Sequence, residues 1–395
     1  MSITRQSRRD FFKNTAATGV GALVATAAAG GAAMADTKTG CVKNGYHGIP
    51  RPNLWSPNDI EFTDTTQYKK DGPYKIGFSN AGLGDTWRVV MLHSMQAAVA
   101  RNKDLVSDFI VTDANHNDAK QVSDVEDLIS QGVDLLIVSA NTSDALDPVV
   151  SRAMRRGIPV VMTDRSVTSG NYVSFATAAD APIGRMMAQW LVEKLDYQGN
   201  VIILSGAAGA SPDTNRVIPA MQIFDQYPEI NVLDRVYSDF SSAKGKTVMA
   251  AMIQKYGDQI DGVFGQFGGQ VSGSIEAFLD AGYGHGEIPA HTSTDYNGPM
   301  KLAIEHGFPL FNFDYPPAMG GEAVQIALNT LQGLPVAKIH SINNMMTLTR
   351  GDETTSVHAD QWADDYIRPD KPNDFLLSGG LGPDYDPATF DASNL

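Results

Sequence analysis

The sequence predicts an α/β protein built from two similar domains, each with a parallel sheet. One observation is a regular alternation, from about residue 74 onward, of short apolar β-branched runs with longer segments of helical apolar spacing. Strands that alternate with helices of this length form right-handed βαβ units, and therefore parallel sheets. The second observation is that the alternation runs through twice within 395 residues, a length that suffices for two domains of ordinary size.

The overall composition is that of a globular, acidic protein. The chain is 43% hydrophobic and carries a formal net charge of -15 at pH 7. Nucleic acids and anionic membrane surfaces attract clustered Lys and Arg, so we expect neither as a partner. The single cysteine, Cys41, excludes an internal disulfide, a multi-cysteine zinc site and a Cys-ligated iron–sulfur cluster.

The amino terminus predicts an export signal. Ser7–Lys13 contains two adjacent arginines in a twin-arginine pattern, and a weakly apolar stretch of Ala, Gly and Val follows it. Ala33–Ala35 offers a small-x-small cleavage site, so residues 1–35 are predicted to be removed from a soluble periplasmic protein. Lys38 stands three positions before Cys41, where lipid attachment needs an aliphatic residue, so we do not expect a lipid anchor.

The first set of alternating elements follows an irregular lead-in over residues 36–73, which are rich in Gly, Pro, Asn and Asp. The predicted strands are Tyr74–Ser79, Asp108–Thr112, Leu135–Ser139 and Ile158–Thr163, and the predicted helices are Thr86–Arg101, Ala119–Gln131 and Asp144–Arg156.

The second set begins after a short predicted strand at Tyr172–Phe175. Its predicted strands are Asn200–Leu204, Ile230–Tyr237, Gly262–Gly265 and Pro289–Thr294, and its predicted helices are Ala181–Leu195, Asn215–Gln226, Ala243–Lys255 and Val271–Ala281. A further stretch adds the helix Pro299–His306, the strand Leu310–Phe313 and the helix Met319–Leu331. Beyond about Leu348 the chain turns acidic and loop-like, and residues 366–395 are predicted to form an irregular acidic tail.

An adjacent acid and base, Asp164 and Arg165, follow the buried strand Ile158–Thr163. In open α/β sheets, ligands bind outside the carboxyl ends of the strands, which is where this pair stands. A carboxylate next to a guanidinium offers several acceptors and up to five donors, an arrangement suited to a polyhydroxylated small molecule.

The segment Gly82–Arg88 joins the first predicted strand to the first helix and contains Trp87 next to Arg88. A tryptophan at such a helix start is expected to be more exposed than a core residue, although a core position is the alternative. A flat aromatic face stacks on the apolar C–H face of a sugar ring while the hydroxyl groups point to polar partners. Together with Asp164 and Arg165, Trp87 therefore indicates a carbohydrate pocket.

Three more residues stand near strand ends. Arg216 follows the Gly-rich loop Gly206–Ala210, where the alternative is a tight turn with a surface arginine. Asp295 and Tyr315 follow two later strands, and each could instead serve a turn or a helix cap.

Motifs for metal binding and catalysis are weak. Asp113–Asp118 begins like a calcium loop but lacks the required Gly and Glu, and we interpret it as a strand-to-helix loop with a cap. His285, Glu287 and His291 lie close in sequence without a metal-binding pattern, and no dinucleotide fingerprint or activated nucleophile is present. We therefore predict no metal, no cofactor and no catalysis.

Four segments of the chain resemble, in order, the periplasmic solute-binding proteins of ABC sugar importers of the ribose/galactose-binding type, and most closely the galactofuranose-binding subgroup. These segments are Phe78-Ser79-Asn80 with Thr86-Trp87-Arg88, Asp164-Arg165-Ser166, Gly209-Ala210-Ser211 with Arg216, and Ser238-Asp239-Phe240 with Lys244-Gly245-Lys246. The resemblance covers roughly residues 74–350.

The resemblance implies two Rossmann-like lobes joined by three hinge crossings, with the sugar bound between the lobes. The crossings map near Thr177, Tyr315 and Asn344. Lobe 1 would comprise residues 74–177 and 316–344, and lobe 2 residues 178–315 and 345–365. It also implies a monomer that captures a carbohydrate or polyol in the periplasm and delivers it to a membrane permease.

The site residues that the resemblance implies come from the matching positions. They are Trp87, Arg88, Asp164, Arg165, Arg216 and Asp295, to which we add Asn80, Asp85, Phe267 and Tyr315 as further candidates. Where the family usually has an Asn-Asp pair, this chain has Gln266-Phe267-Gly268-Gly269, so a differently shaped polyol, sugar acid or lactone is an open alternative to the usual hexose or pentose. A ligand-presenting sensor and a periplasmic carbohydrate-active enzyme are the alternatives to transport.

Overall fold

The structure is a computed structural model, and it describes residues 61–342, 347–350, 368–377, 381 and 385–394. The predicted signal peptide, its cleavage site, Cys41 and the predicted crossing at Asn344 lie outside these described residues.

Strands and helices alternate along the described chain. The first elements are β1 (Phe62–Thr63), β2 (Tyr74–Asn80), α1 (Thr86–Arg101), β3 (Val106–Asp113), α2 (Asp118–Ser130), β4 (Leu135–Ser139), α3 (Ser143–Arg155), β5 (Val160–Thr163) and β6 (Ser174–Thr177). They are followed by α4 (Asp180–Lys194), β7 (Gly199–Ser205), α5 (Ser211–Phe224), β8 (Ile230–Tyr237), α6 (Ser242–Tyr256), β9 (Gly262–Gly265), α7 (Gly268–Asp280), β10 (Ala290–Thr294) and α8 (Asn297–His306). The last elements are β11 (Leu310–Phe313), α9 (Met319–Leu331), β12 (Val336–Ala337), β13 (Ile339–Ser341) and β14 (Thr347–Arg350).

Two six-stranded sheets form the frame of the molecule. The first has the strand order β13-β6-β5-β4-β2-β3 and is parallel throughout. The second has the order β14-β11-β10-β9-β7-β8, with only the edge strand β14 antiparallel to its neighbour. The predicted α/β fold with two parallel-sheet lobes is confirmed.

The central strands are buried along their whole length because helices cover both faces of a parallel sheet. All five residues of β4 are buried, as are all four of β5 and of β9. Large side chains such as Phe78, Trp190 and Phe264 fill the space between sheets and helices. This burial explains why the strands could be recognised in the sequence as short continuous apolar runs.

The chain passes between the two sheets three times. It leaves the first sheet after β6 and enters the second at β7, and it returns between β11 and β13. The third passage, between β13 and β14, includes residues 343–346, which lie outside the described part. The exact lobe boundaries given above stay a prediction.

Several short strands were not predicted, including β1 and β12, which form a separate two-stranded sheet. The predicted irregular lead-in contains β1, which pairs antiparallel with β12, and the segment predicted as loop beyond Leu348 begins within β14. The strand predicted at Tyr172–Phe175 lies two residues later, at β6. Strands of two to four residues are too short to show a hydrophobic period, so only their pairing reveals them.

No helix among the described residues is long and apolar enough to span a membrane.

Candidate functional site

The carboxyl ends of the parallel strands converge on a cavity between the two sheets. The empty space there amounts to about 360 Å³, which includes space open to solvent. The lining residues are Asp85, Trp87, Arg88, Asp164, Arg165, Pro212, Arg216, Phe240, Phe267, Asp295 and Tyr315. Nine of the ten residues singled out in the sequence thus meet at one cavity, and Asn80 lies behind it.

Two aspartates occupy equivalent places in the two sheets. Asp164 follows β5 and Asp295 follows β10, each the third strand in its sheet order. Each has a positive φ, 59° for Asp164 and 66° for Asp295, and each donates its backbone N–H to the neighbouring strand. Aspartate tolerates this left-handed conformation better than most residues, and the turn points each carboxylate away from the sheet end. The fold therefore places one carboxylate at the end of each sheet, at the same cavity.

Asp164 is fixed by Arg88 from the first turn of α1. The Arg88 Nη2 donates to Asp164 Oδ2 at 2.7 Å, and its Nη1 donates to Asn80 Oδ1 at 3.1 Å and Ser139 Oγ at 2.9 Å. Both members of this ion pair are at most 5% exposed. Because Arg88 is so fully engaged, its main effect is to hold Asp164. Asn80, a predicted ligand contact, holds Arg88 and does not line the cavity.

Asp85 caps the helix that carries these residues. Its carboxylate accepts the backbone N–H of Arg88 at 2.9 Å, the bond expected of an N-cap. The side chain is half-buried and also lines the cavity. Asp85 thus fixes the start of α1 and with it the position of Arg88.

One N–H donor of the Arg165 guanidinium has no hydrogen-bond acceptor. Its Nη1 donates to the carbonyl of Asn141 at 3.3 Å, while its Nε is buried without a hydrogen-bond partner, 3.5 Å from Asp164 Oδ2. Burial and the nearby positive charge of Arg88 lower the pKa of Arg165 to about 10, so the guanidinium stays charged at neutral pH. A buried charged donor without a partner is costly unless a bound molecule accepts from it.

Arg216 lies on α5 and lines the same cavity as Arg165. Its Nε donates to Asp180 Oδ1 at 2.8 Å, and its Nη1 donates to the backbone carbonyl of Gln266 at 2.8 Å. The alternative of a surface arginine is wrong, because Arg216 is only 3% exposed. Burial raises the pKa of Asp180 to about 6, against the opposing attraction of Arg216.

One carboxylate oxygen of Asp295 is hydrogen-bonded to the backbone and the other has no hydrogen-bond partner. Its Oδ1 accepts the backbone N–H of Tyr315 at 2.6 Å, and its Oδ2 is buried without a hydrogen-bond partner. Burial, followed by the charge of Asp314, raises the pKa of Asp295 well above its ordinary value. Its carboxyl group therefore keeps a proton to higher pH than an ordinary aspartate and can donate to a ligand oxygen as well as accept from a hydroxyl.

Trp87 and Tyr315 form an aromatic wall next to these polar groups. Their ring centroids lie 5.6 Å apart at an interplanar angle of 28°, and the Trp87 Nε1 donates to the Tyr315 carbonyl at 2.7 Å. The expectation that Trp87 is unusually exposed is wrong, because it is only 4% exposed. It lies under Tyr315, and the indole N–H is already used within the protein.

Phe240 and Phe267 supply a second aromatic wall from the other sheet. Their rings meet edge to face at 6.0 Å, and the Arg165 guanidinium lies 5.5 Å from the Phe240 centroid. Phe240 and Pro212 were not recognised as site residues in the sequence. Phe240 belongs to the Ser238-Asp239-Phe240 segment, and its position just after β8 was the signal that could have identified it.

The two lobes touch across the cleft. Ser143 N donates to the Gly209 carbonyl at 2.9 Å, and Ser166 N donates to Ser211 Oγ at 2.9 Å. These bonds join α3 and the loop after β5 to the loop and helix that follow β7. The structure is therefore a closed form.

The weak metal motifs have ordinary structural places. Asn117 accepts the backbone N–H of Lys120 at 2.9 Å, as the N-cap of α2. His291 is buried in β10 and bonds to Ser274 Oγ at 2.9 Å. Within the described residues, no three His, Cys, Asp or Glu side chains gather as a group that could hold a metal ion.

Comparisons with known proteins agree with this architecture. The ribose import binding protein of Bacillus subtilis (strain 168) is 35% identical over 209 residues, which are 53% of this chain and 67% of that protein. The solved fructose-binding periplasmic domain of a hybrid two-component system is 25% identical, with a TM-score of 0.63 over 70% of this chain and 90% of that chain.

A solved galactofuranose-binding protein has the same fold, with a TM-score of 0.64 at 24% identity, over 69% of this chain and 94% of that chain. The sequence itself matches the family described as periplasmic binding protein domain over residues 76–335. With its two parallel-sheet lobes and its cavity at the facing strand ends, the chain belongs to the periplasmic binding protein domain family.

Proposed function

We propose that this protein is the substrate-binding component of an ABC importer, which captures a monosaccharide or a related polyol or sugar derivative and delivers it to a membrane permease. The observation that carries the proposal is that Arg165 and Asp295, which line a cavity with aromatic walls, each have a buried polar atom without a hydrogen-bond partner, Arg165 Nε and Asp295 Oδ2. Hydroxyl groups can accept from the first and exchange hydrogen bonds with the second, while a ring C–H face packs on Phe240.

Ligand capture would proceed by closure of the two lobes. Arg88, Asp164 and Arg165 belong to one sheet system, whereas Arg216, Phe240 and Asp295 belong to the other. Only the closed form presents both sets of groups to one molecule, so a bound sugar shifts the equilibrium toward it. A ligand that leaves buried groups unpaired binds much more weakly, which gives selectivity.

The proposed cellular setting follows from the family and the amino terminus. The family is periplasmic, and we propose export by the twin-arginine route with cleavage after Ala35. We also propose that the protein binds without catalysis, needs no cofactor or metal, acts as a monomer and does not bind nucleic acid. The ribose import function of the Bacillus subtilis relative supports a transport role.

A ligand-presenting sensor is a second candidate function. It is favoured by the similarity to the fructose-binding periplasmic domain of a hybrid two-component system. The same cleft would serve both roles. Sugar uptake in cells that lack the protein distinguishes them, since loss of uptake supports transport and intact uptake supports sensing.

The test of sugar capture is a thermal-shift panel of pentoses, hexoses, furanoses, polyols and sugar acids, followed by calorimetry on the best ligand. A ligand at about 1,000 times its Kd stabilises the native state by about 4 kcal/mol, which is several degrees in Tm. Mass spectrometry of the recovered ligand checks that it is unchanged. A panel in which no compound raises the Tm contradicts the proposal, and turnover of the sugar indicates an enzyme instead.

A further inference from the structure

Of the last described segments of the chain, 368–377 contacts both lobes and 385–394 packs against α1 of the first lobe. They lie beyond residues 76–335, over which the family match extends. We propose that these segments form an intramolecular clamp that stabilises the closed form of the cleft. This inference rests on the proposed function in that capture requires the cleft to open and close.

The first segment is bound firmly to the second lobe, at the start of α8. The side-chain amide of Asn297 donates to the Arg368 carbonyl at 2.8 Å and its oxygen accepts the Arg368 N–H at 2.9 Å. The backbone N–H of Gly298 donates to the Asn373 carbonyl at 2.7 Å. The Gly298 N–H is a donor at the helix N-terminus that has no partner inside the helix, so the segment acts as a cap.

The same segment reaches the wall of the cavity. Leu377 N donates to the backbone carbonyl of Asp295 at 2.9 Å, and Leu376 is buried next to Tyr296 through an isolated antiparallel bridge. The segment is therefore fixed to the strand end that carries the carboxyl group of the proposed site.

From this base the segment contacts the first lobe. The hydroxyl of Thr86, in the first turn of α1, donates to Asp374 Oδ2. Thr86 immediately precedes Trp87 and Arg88 of the proposed site. A side-chain bond thus joins the start of α1 to a segment that belongs structurally to the second lobe.

The second segment lies along the same helix. His93 Nδ1 and the Tyr385 hydroxyl are 2.7 Å apart, and the His93 ring stacks on Phe390 with centroids 4.4 Å apart at 21°. Both aromatic residues are half-buried. Seven residues, 378–384, connect this segment to the one that caps α8.

Opening of the cleft must break or strain these contacts. Rotation about the hinge moves α1 away from α8, and the Thr86–Asp374 bond joins these two elements directly. The Phe390 stack on His93 lies further along α1. Contacts that exist only in the closed form favour that form, in the ligand-free protein as well as with sugar bound.

The test measures the distance between the lobes in the full chain without added sugar. Spin labels are placed at two exposed helical alanines, with Ala119→Cys on α2 and Ala250→Cys on α6, in a Cys41→Ser background. Distance distributions are recorded by pulsed electron resonance for this protein, for Phe390→Ala, and for Asp374→Ala, which removes the acceptor of the Thr86 bond. Thr389→Ala is the matched control, because Thr389 is exposed and adjacent to Phe390.

We expect the control and the parent to share one short distance. Phe390→Ala is expected to raise the ratio of the longer to the shorter distance at least fivefold, and Asp374→Ala to raise it about twofold to fivefold. Circular dichroism checks folding, and the exposed Asp374→Ala keeps the test decisive even if Phe390→Ala folds poorly. Distributions of both variants that superimpose on the parent overturn the clamp, as does a parent protein that is already at the longer distance.

The outcome is separate from that of the sugar panel. A protein that binds no sugar but opens on loss of Phe390 retains the clamp and contradicts the proposed function. A protein that binds sugar but keeps its distance distribution in both variants retains the function and contradicts the clamp.

Discussion

The Arg216 guanidinium lies 4.4 Å from the centroid of the Tyr315 ring, between the two lobes of the protein. The same ring stacks on Trp87, and its hydroxyl donates to the backbone carbonyl of Asp164 at 3.1 Å. Tyr315 follows β11, at a passage between the lobes, so one side chain contacts residues of both cavity walls. Its position links the geometry of the site to the hinge.

Replacement of Tyr315 should separate the effect of the ring from that of the hydroxyl. Tyr315→Phe loses one buried hydrogen bond, worth about 1 kcal/mol, and is expected to weaken sugar binding about fivefold. Tyr315→Ala also removes the surface on which Arg216 and Trp87 rest, and we expect a loss of more than about 100-fold, with a lower Tm from the cavity. Calorimetry with the best sugar of the panel measures both. Equal losses in the two variants would show that the ring does not organise the site.

Arg165→Ala should weaken binding by about 30-fold or more, because truncation of a buried charged partner costs about 2–5 kcal/mol. The ligand-free protein should keep its Tm, because Asp164 remains paired with Arg88 and a buried, partly unpaired cation is removed. Arg156→Ala, at an exposed position on the same lobe, is the control. Affinity and Tm are measured on both variants, and unchanged affinity in Arg165→Ala would remove this residue from the site.

Much of the cavity could be located from the sequence because it depends on local signals. Asp164 and Asp295 each stand directly after a buried apolar run, and a parallel sheet brings all such positions to one edge. Trp87 and Arg216 lie on helices that begin just after strands β2 and β7. Because those strands end at the same edge as β5 and β10, the two residues are also expected near Asp164 and Asp295. These residues could therefore be named without knowledge of the packing.

Properties set by packing could not be predicted in this way. Whether Trp87 is exposed depends on Tyr315, which lies 228 residues later, and whether Asn80 reaches the cavity depends on Arg88. The half-buried Phe240 lacked any periodic signal, since it lies in a turn with a positive φ. Contacts of the carboxyl-terminal segments with α1 are likewise long-range and leave no local pattern.

Gly206→Ala should displace Phe240 from the cavity wall. A Cβ at position 206 would lie 2.0 Å from the Phe240 ring, so the ring must move. We expect at least about tenfold weaker sugar binding and a stability loss of about 1–3 kcal/mol from overpacking. Gly84→Ala is the control, because its nearest neighbour would be at 3.4 Å, an ordinary contact.

A double-mutant cycle isolates the cause of the Gly206 effect. In a Phe240→Ala background, Gly206→Ala should have little further effect on affinity, since the ring it would displace is gone. Additive losses of affinity in the double variant would mean that the alanine acts on the loop and not through Phe240.

Asp295→Asn should change how stability depends on pH, because burial and the charge of Asp314 raise the pKa of Asp295 in the native state. An unfolded aspartate has a pKa of about 3.9, so above that pH the native protein retains a proton that the unfolded chain loses. The contribution of Asp295 to the unfolding free energy is complete below about pH 4, and it is lost, by at most about 1.4 kcal/mol per pH unit, as pH rises toward the native pKa.

The amide of Asp295→Asn keeps an acceptor for the Tyr315 N–H but does not titrate, so the variant should gain stability relative to the parent as pH rises from 4 to 7. Urea unfolding of the sugar-free proteins at one-unit pH steps measures this difference, with the exposed Asp104→Asn as control. If the difference between Asp295→Asn and the parent stays constant over this range, Asp295 is ionised in the native protein. It could then only accept hydrogen bonds from a ligand.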